Sequence, residues 1–183
     1  MATRLEKGER HQQILERSLD IFLRRGYDAT SAREIAQASQ MSKANLYHHF
    51  PAKDDVLREL LEPLFEEIEE LLDRSDEHAD TAKERENLLQ DFMETLLKYR
   101  KTFTLLETSV SIESRPDLHE KSERLRERGL TILVGENASE ESLVRAESTL
   151  GAIRYCIINS DRYHDDILRK TGLEAALRAL GSD

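Results

Sequence analysis

Apolar residues recur every three or four positions along most of the chain, which is the spacing of amphipathic helices. In residues 10–25 the recurring positions are Ile14, Leu15, Leu19, Phe22 and Leu23. Gly26 follows as the expected left-handed stop of this helix. Apolar and polar residues seldom alternate over a length that suits a strand, so the pattern predicts an all-α chain.

Two short helices are predicted directly after the first. Ser31 and Glu34 form a capping-box pattern at the start of one. Ser42 is the expected cap of the other, which runs from Lys43 to Phe50 and is ended by a proline. Two short helices joined by a tight turn behind a longer one are typical of a helix-turn-helix.

The rest of the chain predicts longer helices, giving about nine in all. The helix at 53–72 contains Pro63, which is either a tolerated kink or a hinge between two parts of the protein. Residues 74–80 lack an apolar period and predict a loop. The remaining helices are expected at 82–112 (one or two helices), 117–134, 139–159 and 164–180, the last with Gly172 as a candidate break.

Composition agrees with a helical protein of one large or two small domains. Of the 183 residues, 35% are charged, and glycine and proline number only 7 and 3. The single cysteine, Cys156, excludes an intrachain disulfide and is expected to be a buried apolar side chain. No apolar run is long enough to span a membrane and no signal peptide is evident, so a reducing, cytoplasmic location is expected.

The charge is unevenly distributed. The net charge is −10, yet residues 1–53 hold nine Lys and Arg against six Asp and Glu, which leaves +3 there and −13 in the remainder. Such asymmetry is modest evidence for an end that faces nucleic acid and a body that is simply solvated.

The short helix at Lys43 to Phe50 gathers basic and aromatic groups on one side. At about 100° per residue, Leu46 and Phe50 share a face that is expected to dock on the two preceding helices. The other faces hold Lys43, Ala44, Asn45, Tyr47, His48 and His49. The two histidines cannot share a metal ion, since a helical pair needs i, i+4 spacing. Together with Lys53, these groups can face a phosphate backbone in a single docking pose. This favours a nucleic-acid contact over the alternative that the helix face is merely solvated and has no function.

Residues 31–57 resemble the tetracycline-repressor (TetR) family of bacterial transcription factors. The family pattern is roughly I-A-x-x-A-G-V-S-x-G-x-L-Y-x-H-F-x-x-K-x-x-L, and the chain reads I-A-Q-A-S-Q-M-S-K-A-N-L-Y-H-H-F-P-A-K-D-D-V. Two glycine positions of the pattern hold Gln40 and Ala44, and Gln40 is expected to adopt a positive φ. The resemblance covers about residues 10–60; beyond them only length, helicity and helix order agree.

The resemblance implies a helix-turn-helix DNA-binding domain at 1–53, with the motif at about 31–50, and a helical ligand-binding and dimerisation domain at 54–183. It implies a homodimer that binds a pseudo-palindromic operator, most often as a repressor, and is released by a small molecule. No cofactor and no metal are implied.

Phosphate contacts are expected from several of these residues. Ser42 lies at a helix N-terminus whose N–H groups suit phosphates, and either Thr30 or Ser31 is expected to act likewise. By the family pattern, Tyr47, His49 and Lys53 also hold the phosphate backbone.

Base contacts are expected from the exposed side of the same helix. Lys43 suits guanine, Asn45 suits adenine and Ala44 suits the thymine methyl group. His48 is expected to reach guanine N7 or a phosphate, and Arg33 to add a base or phosphate contact.

The ligand pocket and the dimer contact are less sharply defined. Candidates for the pocket, each equally compatible with plain core, are Phe92, Met93, Leu96, Tyr99, Phe103, His119 and Tyr155. The dimer contact is placed at 139–180 by resemblance and by an apolar stripe of Leu143, Ala146, Leu150, Ile153 and Ile157. The alternative is that this stripe serves only the core of its own chain.

Two other functions compete with that of a DNA-binding regulator. An enzyme is disfavoured because the chain contains no G-x-S-x-G, H-E-x-x-H, C-x-x-C or phosphate-loop motif. A helical interaction module that does not bind DNA is disfavoured because Tyr47, His49 and Lys53 are all present.

Overall fold

The computed structural model describes residues 2–75 and 81–181, and the regular secondary structure within them is helical, which confirms the all-α prediction. The N-terminal helices are α1 (Ala2–Arg25), α2 (Ala32–Ala38), α3 (Lys43–His49) and α4 (Lys53–Ser75). The predicted loop at 74–80 begins inside α4, and its remaining positions, 76–80, lie outside the described residues.

The later helices are α5 (Ala82–Lys98), α6 (Arg100–Thr108), α7 (Val110–Glu113), α8 (Pro116–Val134), α9 (Glu140–Ile158), α10 (Asp165–Ile167) and α11 (Leu173–Leu180). The region predicted as one or two helices at 82–112 forms three, with breaks at Tyr99 and Ser109. Gly172 does not break the last segment. It ends a π-helical stretch, Leu168–Gly172, that joins α10 to α11.

One continuous apolar core links the N-terminal helices to the rest of the chain. Leu46 of α3 and Phe50, the residue that caps the end of α3, are 2% and 1% exposed, and they join Ile35 of α2 and Ile14 of α1 in this core. The predicted inward face of α3 is therefore confirmed. None of the helices in the described ranges combines the length and the apolar character that a bilayer crossing requires.

The apolar stripe of α9 faces its own chain. Ala146, Ile153 and Ile157 are each 0% exposed, and α9 packs extensively along α11. This corrects their assignment to a dimer contact, because a side chain enclosed within one chain cannot touch a second. Leu150 is half-buried, and Leu143 is the member of the stripe that is exposed.

The turn between α2 and α3 contains Gln40 with a φ of 54°, which confirms the expected left-handed conformation. A non-glycine residue there is strained by about 1–2 kcal/mol. Replacing Gln40 with glycine should therefore raise the free energy of unfolding by about 0.5–1 kcal/mol, after the extra entropy of an unfolded glycine is subtracted. Urea denaturation measures this change.

Gln37→Gly is the matched control, because Gln37 is exposed within α2. Glycine inside a helix should lower stability by about 1 kcal/mol. Two variants that both destabilise the protein would contradict the strain assigned to Gln40.

Candidate nucleic-acid interface

Side-chain caps fix the starts of both short helices. The Ser42 hydroxyl accepts a hydrogen bond from the Asn45 N–H at 3.1 Å. At α2, the Ser31 hydroxyl accepts from the Glu34 N–H at 3.3 Å, and the Glu34 carboxylate accepts from the Ser31 N–H at 2.8 Å. Those hydrogen bonds from Ser31, with the nearby Arg25 guanidinium, hold the pKa of Glu34 below its ordinary value. The predicted capping box is confirmed.

The outer side of α3 is open to solvent. Lys43, Ala44, Asn45 and His48 are exposed, and Tyr47 is 41% exposed. The Lys43 ammonium lies 5.4 Å from the centre of the Tyr47 ring, a distance at which cation and ring attract each other. The helix thus presents donors, a methyl group and an aromatic hydroxyl together, away from the core.

The two histidines of α3 differ in environment. His48 is exposed, whereas His49 is half-buried, with its ring 6.0 Å from that of His11. The His11 ring stacks on Phe50 at 4.3 Å and its Nε2 lies 2.5 Å from the Glu59 carboxylate. Among the described residues, no group of three or more His, Cys, Asp and Glu side chains is placed to hold a metal ion.

Lys53 is tied to the segment that precedes α2. Its ammonium donates to the carbonyl oxygens of Tyr27 at 2.8 Å and Thr30 at 3.0 Å, and it lies 4.0 Å from the centre of the Tyr27 ring. An ammonium has three N–H donors, so one remains for a phosphate. The sequence did not reveal this positioning function, because the acceptors lie more than twenty positions away.

The loop before α2 differs from the prediction. Thr30 is 1% exposed, and its N–H donates to the Tyr27 carbonyl. The Ser31 N–H is likewise donated to Glu34. The expectation that either backbone N–H is available to a phosphate is therefore corrected, although the Ser31 side chain is exposed. Arg33 is exposed on α2.

A polar cluster that the sequence analysis missed connects this region to α8. Arg115, the residue before α8, donates to the Asp54 carboxylate at 2.6 Å. The Tyr27 hydroxyl donates to the same carboxylate, and the Arg115 guanidinium lies 5.4 Å from the Tyr27 ring centre. Burial, together with the hydrogen bond to Asp54, raises the pKa of Tyr27. We call Tyr27, Asp54 and Arg115 the Asp54 cluster.

A cavity of about 120 Å³ lies between α4, α5, α6, α8 and α9. Phe92 and Phe103, two of the predicted pocket residues, line it. His119 lines an adjoining recess of about 70 Å³ that shares Glu107, Ser122 and Arg154 with the cavity. These three predicted residues are thus brought together around one space.

The other predicted pocket residues lie elsewhere. Met93 and Leu96 are 1% and 0% exposed in the core, and the missing Cβ of Gly172 leaves room for the end of the Met93 side chain. Tyr99 caps α5 and packs at the edge of the core. Tyr155 is 70% exposed, which corrects its assignment to an enclosed pocket.

The helix-turn-helix region matches known proteins. Residues 14–60 match the family model described as bacterial regulatory proteins, tetR family. Over 59 residues the chain is 37% identical to the HTH-type transcriptional regulator LuxR of Vibrio harveyi, covering 32% of this chain and 29% of that protein. Over 70 residues it is 36% identical to the HTH-type transcriptional repressor KstR2 of Rhodococcus jostii, covering 36% and 34%. The matches therefore span about a third of these curated relatives.

The likeness in fold extends over nearly the whole chain. The crystal structure of Mycobacterium smegmatis AmtR superposes with a TM-score of 0.74 at 24% identity, covering 93% of this chain and 85% of that one. The helices beyond the helix-turn-helix therefore follow the arrangement seen in that protein.

Proposed function

Because the chain belongs to the tetR family of bacterial regulatory proteins, we propose that it is a homodimeric repressor that binds a pseudo-palindromic operator. A small molecule that enters the cavity releases it from DNA. The DNA-binding domain covers residues 1–53, and residues 54–183 form the ligand-binding and dimerisation domain. Such a regulator acts in the bacterial cytoplasm, where its DNA lies.

The exposed side of α3 is the observation that carries the proposal. Its buried face anchors the helix, while Lys43, Asn45 and Ala44 are all exposed within its first turn. An α-helix of this kind fits the major groove, where these side chains match guanine, adenine and thymine respectively. We assign the phosphate contacts to Tyr47, His49, Lys53 and the N-terminus of α3 at Ser42.

The dimer contact is assigned to the exposed surface of α9 and its neighbours. Val144, Tyr155 and Ile167 are 65%, 70% and 54% exposed, and Val144 and Tyr155 lie about 20° apart around α9, on one outward face. Gly151 lies between the first two along α9, with open space where a side chain would stand. A two-fold axis through this surface would pair α9 with itself and leave both α3 helices free.

Selection of bound DNA from a random pool tests the proposal. The wild-type chain should enrich an inverted repeat whose half-sites are centred about 10–10.5 base pairs apart, or a multiple of that distance. Tyr155→Glu places a charge in the dimer surface and should give a monomer that enriches half-sites at most. Val110→Glu is the control, since Val110 is 78% exposed on α7. No enrichment by the wild-type dimer would refute the proposal.

The Asp54 cluster supports a route by which the cavity affects DNA binding. Helix α8 lines the cavity through Ser122, Leu125 and Gly129, and Arg115 stands at the start of that helix. A ligand that displaces α8 therefore moves Arg115 against Asp54 and Tyr27, next to the loop that leads into α2. Tyr27 of the DNA-binding domain and Arg115 of the remaining chain both donate to this carboxylate.

Arg115→Ala should loosen the helix-turn-helix. A hydrogen bond between charged groups contributes about 1.5–3 kcal/mol, which we reduce to about 1 kcal/mol because Asp54 is 41% exposed. Amide hydrogen exchange in residues 27–50 should then be about five times faster. Arg124→Ala is the matched control, because Arg124 also joins α8 to α4, through Glu69 at 3.2 Å. Equal exchange in both variants would exclude the route.

A further inference from the structure

The chemistry of the cavity lining limits what can bind there. Resting on the proposed function, which assigns an effector to this cavity, we infer that the effector is a small, uncharged ring compound with one hydrogen-bonding group, such as a phenol. The size of the cavity, the pairing of its charged side chains and the serine hydroxyl described below each limit a different property of the ligand.

The first limit is size and apolarity. The cavity holds about 120 Å³, and its interior is formed by leucine and phenylalanine side chains that include Leu64, Phe65, Phe92 and Leu125. A cavity of about 150 Å³ with a similar lining takes up benzene. A single ring therefore fills the interior, and a substituent on it can extend into the adjoining recess.

The second limit is charge. The charged side chains of the lining are Glu107, Glu123, Arg126 and Arg154. Arg154 donates to Glu107 at 2.5 Å and 3.2 Å, and Arg126 donates to Glu123 at 2.6 Å. A carboxylate or an ammonium group on the ligand would have to separate one of these pairs, which leaves a partly buried charge without its partner. An uncharged ligand avoids that cost.

The third limit is a hydroxyl group that lacks a partner. Among the polar side-chain atoms of the lining, the buried Ser122 Oγ makes no hydrogen bond within the described residues. A serine hydroxyl both donates and accepts, so it suits a hydroxyl or a carbonyl group on the ligand. Ser122 lies where the cavity joins the recess, which places the polar group of the ligand at that end.

Gly129 supports the view that this space is kept for a ligand. It lies inside α8 on the same stripe as Ser122 and Leu125, although glycine is among the poorest helix formers. A Cβ there would meet only Leu72 Cδ2, at an ordinary 3.7 Å. Packing therefore does not demand glycine, and its effect is to enlarge the cavity.

Calorimetry with four ring compounds tests the inference on the full-length protein without DNA. Phenol should bind with a Kd on the order of 0.1–1 mM, as suits a ligand with so few atoms. Toluene, which lacks the hydroxyl, should bind about three to ten times more weakly. Benzoate and benzylammonium should bind at least about ten times more weakly than phenol, because each disturbs an ion pair. Tighter binding of either charged compound would overturn the inference.

Three variants identify the site. Ser122→Ala should remove the preference for phenol over toluene, whereas Thr131→Ala, which deletes an exposed hydroxyl on the same helix, should keep it. Gly129→Leu fills the cavity and should abolish binding of both compounds, while circular dichroism and DNA binding report that the variant is folded. If Ser122→Ala or Gly129→Leu bound phenol with unchanged affinity, the assignment of the binding site to this cavity would be wrong.

DNA binding is measured separately, so the two proposals can fail separately. If none of the rings binds while the wild-type protein still retains its selected operator, the ligand class is wrong and the DNA-binding function stands. If phenol binds as expected but operator DNA stays bound, the ligand class is supported and release by this ligand is wrong.

Discussion

Lys43→Ala should weaken operator binding by about 2–6 kcal/mol in a dimer that contacts two half-sites, which is the largest effect expected of any single exposed residue. Each lysine is expected to donate to guanine in the major groove, and the loss of such a contact costs about 1–3 kcal/mol per half-site. Lys43 is exposed at the start of α3, and its ammonium lies over the Tyr47 ring, so the core should not change.

Fluorescence anisotropy with labelled operator measures this loss. Lys83→Ala is the matched control, because Lys83 is an exposed lysine on α5 that pairs only with Glu86 among the described contacts. If Lys43 contacts a base, Lys43→Ala should also reduce the difference in binding affinity between the operator and a DNA sequence in which that guanine is replaced. If Lys43→Ala bound the operator as tightly as the wild type, the assignment of Lys43 to the interface would be wrong.

Phe50→Ala should lower the free energy of unfolding by about 3–5 kcal/mol. The Phe50 side chain is 1% exposed, and its ring stacks on His11 of α1, so truncation leaves a hole between α1 and α3. The core residues Ile14, Ile35 and Leu46 are themselves fully packed, so they can collapse only partly into the space. Chemical denaturation followed by circular dichroism measures the change.

Tyr47→Ala separates stability from DNA binding. Tyr47 is an aromatic residue of the same helix, but it is 41% exposed, so its loss should change stability by no more than about 0.5 kcal/mol. It should nevertheless weaken DNA binding, because the residue is proposed to contact phosphate. A large loss of stability in Tyr47→Ala, or a small one in Phe50→Ala, would show that the two faces of α3 have been assigned the wrong way round.

The faces of α3 could be predicted because helical periodicity alone decides which side chains share a side. Leu46 and Phe50 repeat at i, i+4 and nothing else on the helix is comparably apolar. The caps at Ser31 and Ser42 could also be predicted from the sequence, because a helix cap and the residues that it bonds lie within a few positions of each other. The positive φ of Gln40 followed from a comparison with the family pattern and not from the residue itself.

Features that depend on contacts distant in sequence could not be predicted. Periodicity marked the stripe on α9 as apolar but could not say whether α11 or a second subunit covers it. The bonds of Lys53 to the Tyr27 and Thr30 carbonyls, and of Arg115 to Asp54, join residues 23 to 61 positions apart. The helix breaks at Tyr99 and Ser109 carry neither glycine nor proline, so no local signal marks them.

The cavity illustrates the same limit. Phe92 and Phe103 were candidates because they are large and apolar, yet Met93 and Leu96 have the same qualities and belong to the core. Ser122 and Gly129, which give the cavity its polar end and part of its room, carry no signal in a single sequence.

Methylation interference on the selected operator tests most directly whether α3 enters the major groove. Dimethyl sulfate methylates guanine at N7, in the major groove, and adenine at N3, in the minor groove. N7 methylation should block binding in two clusters that are related by the operator dyad and lie about one helical turn, or a multiple of it, apart, and Lys43→Ala should remove this interference. Interference confined to adenine N3, or no interference in either groove, would contradict this prediction.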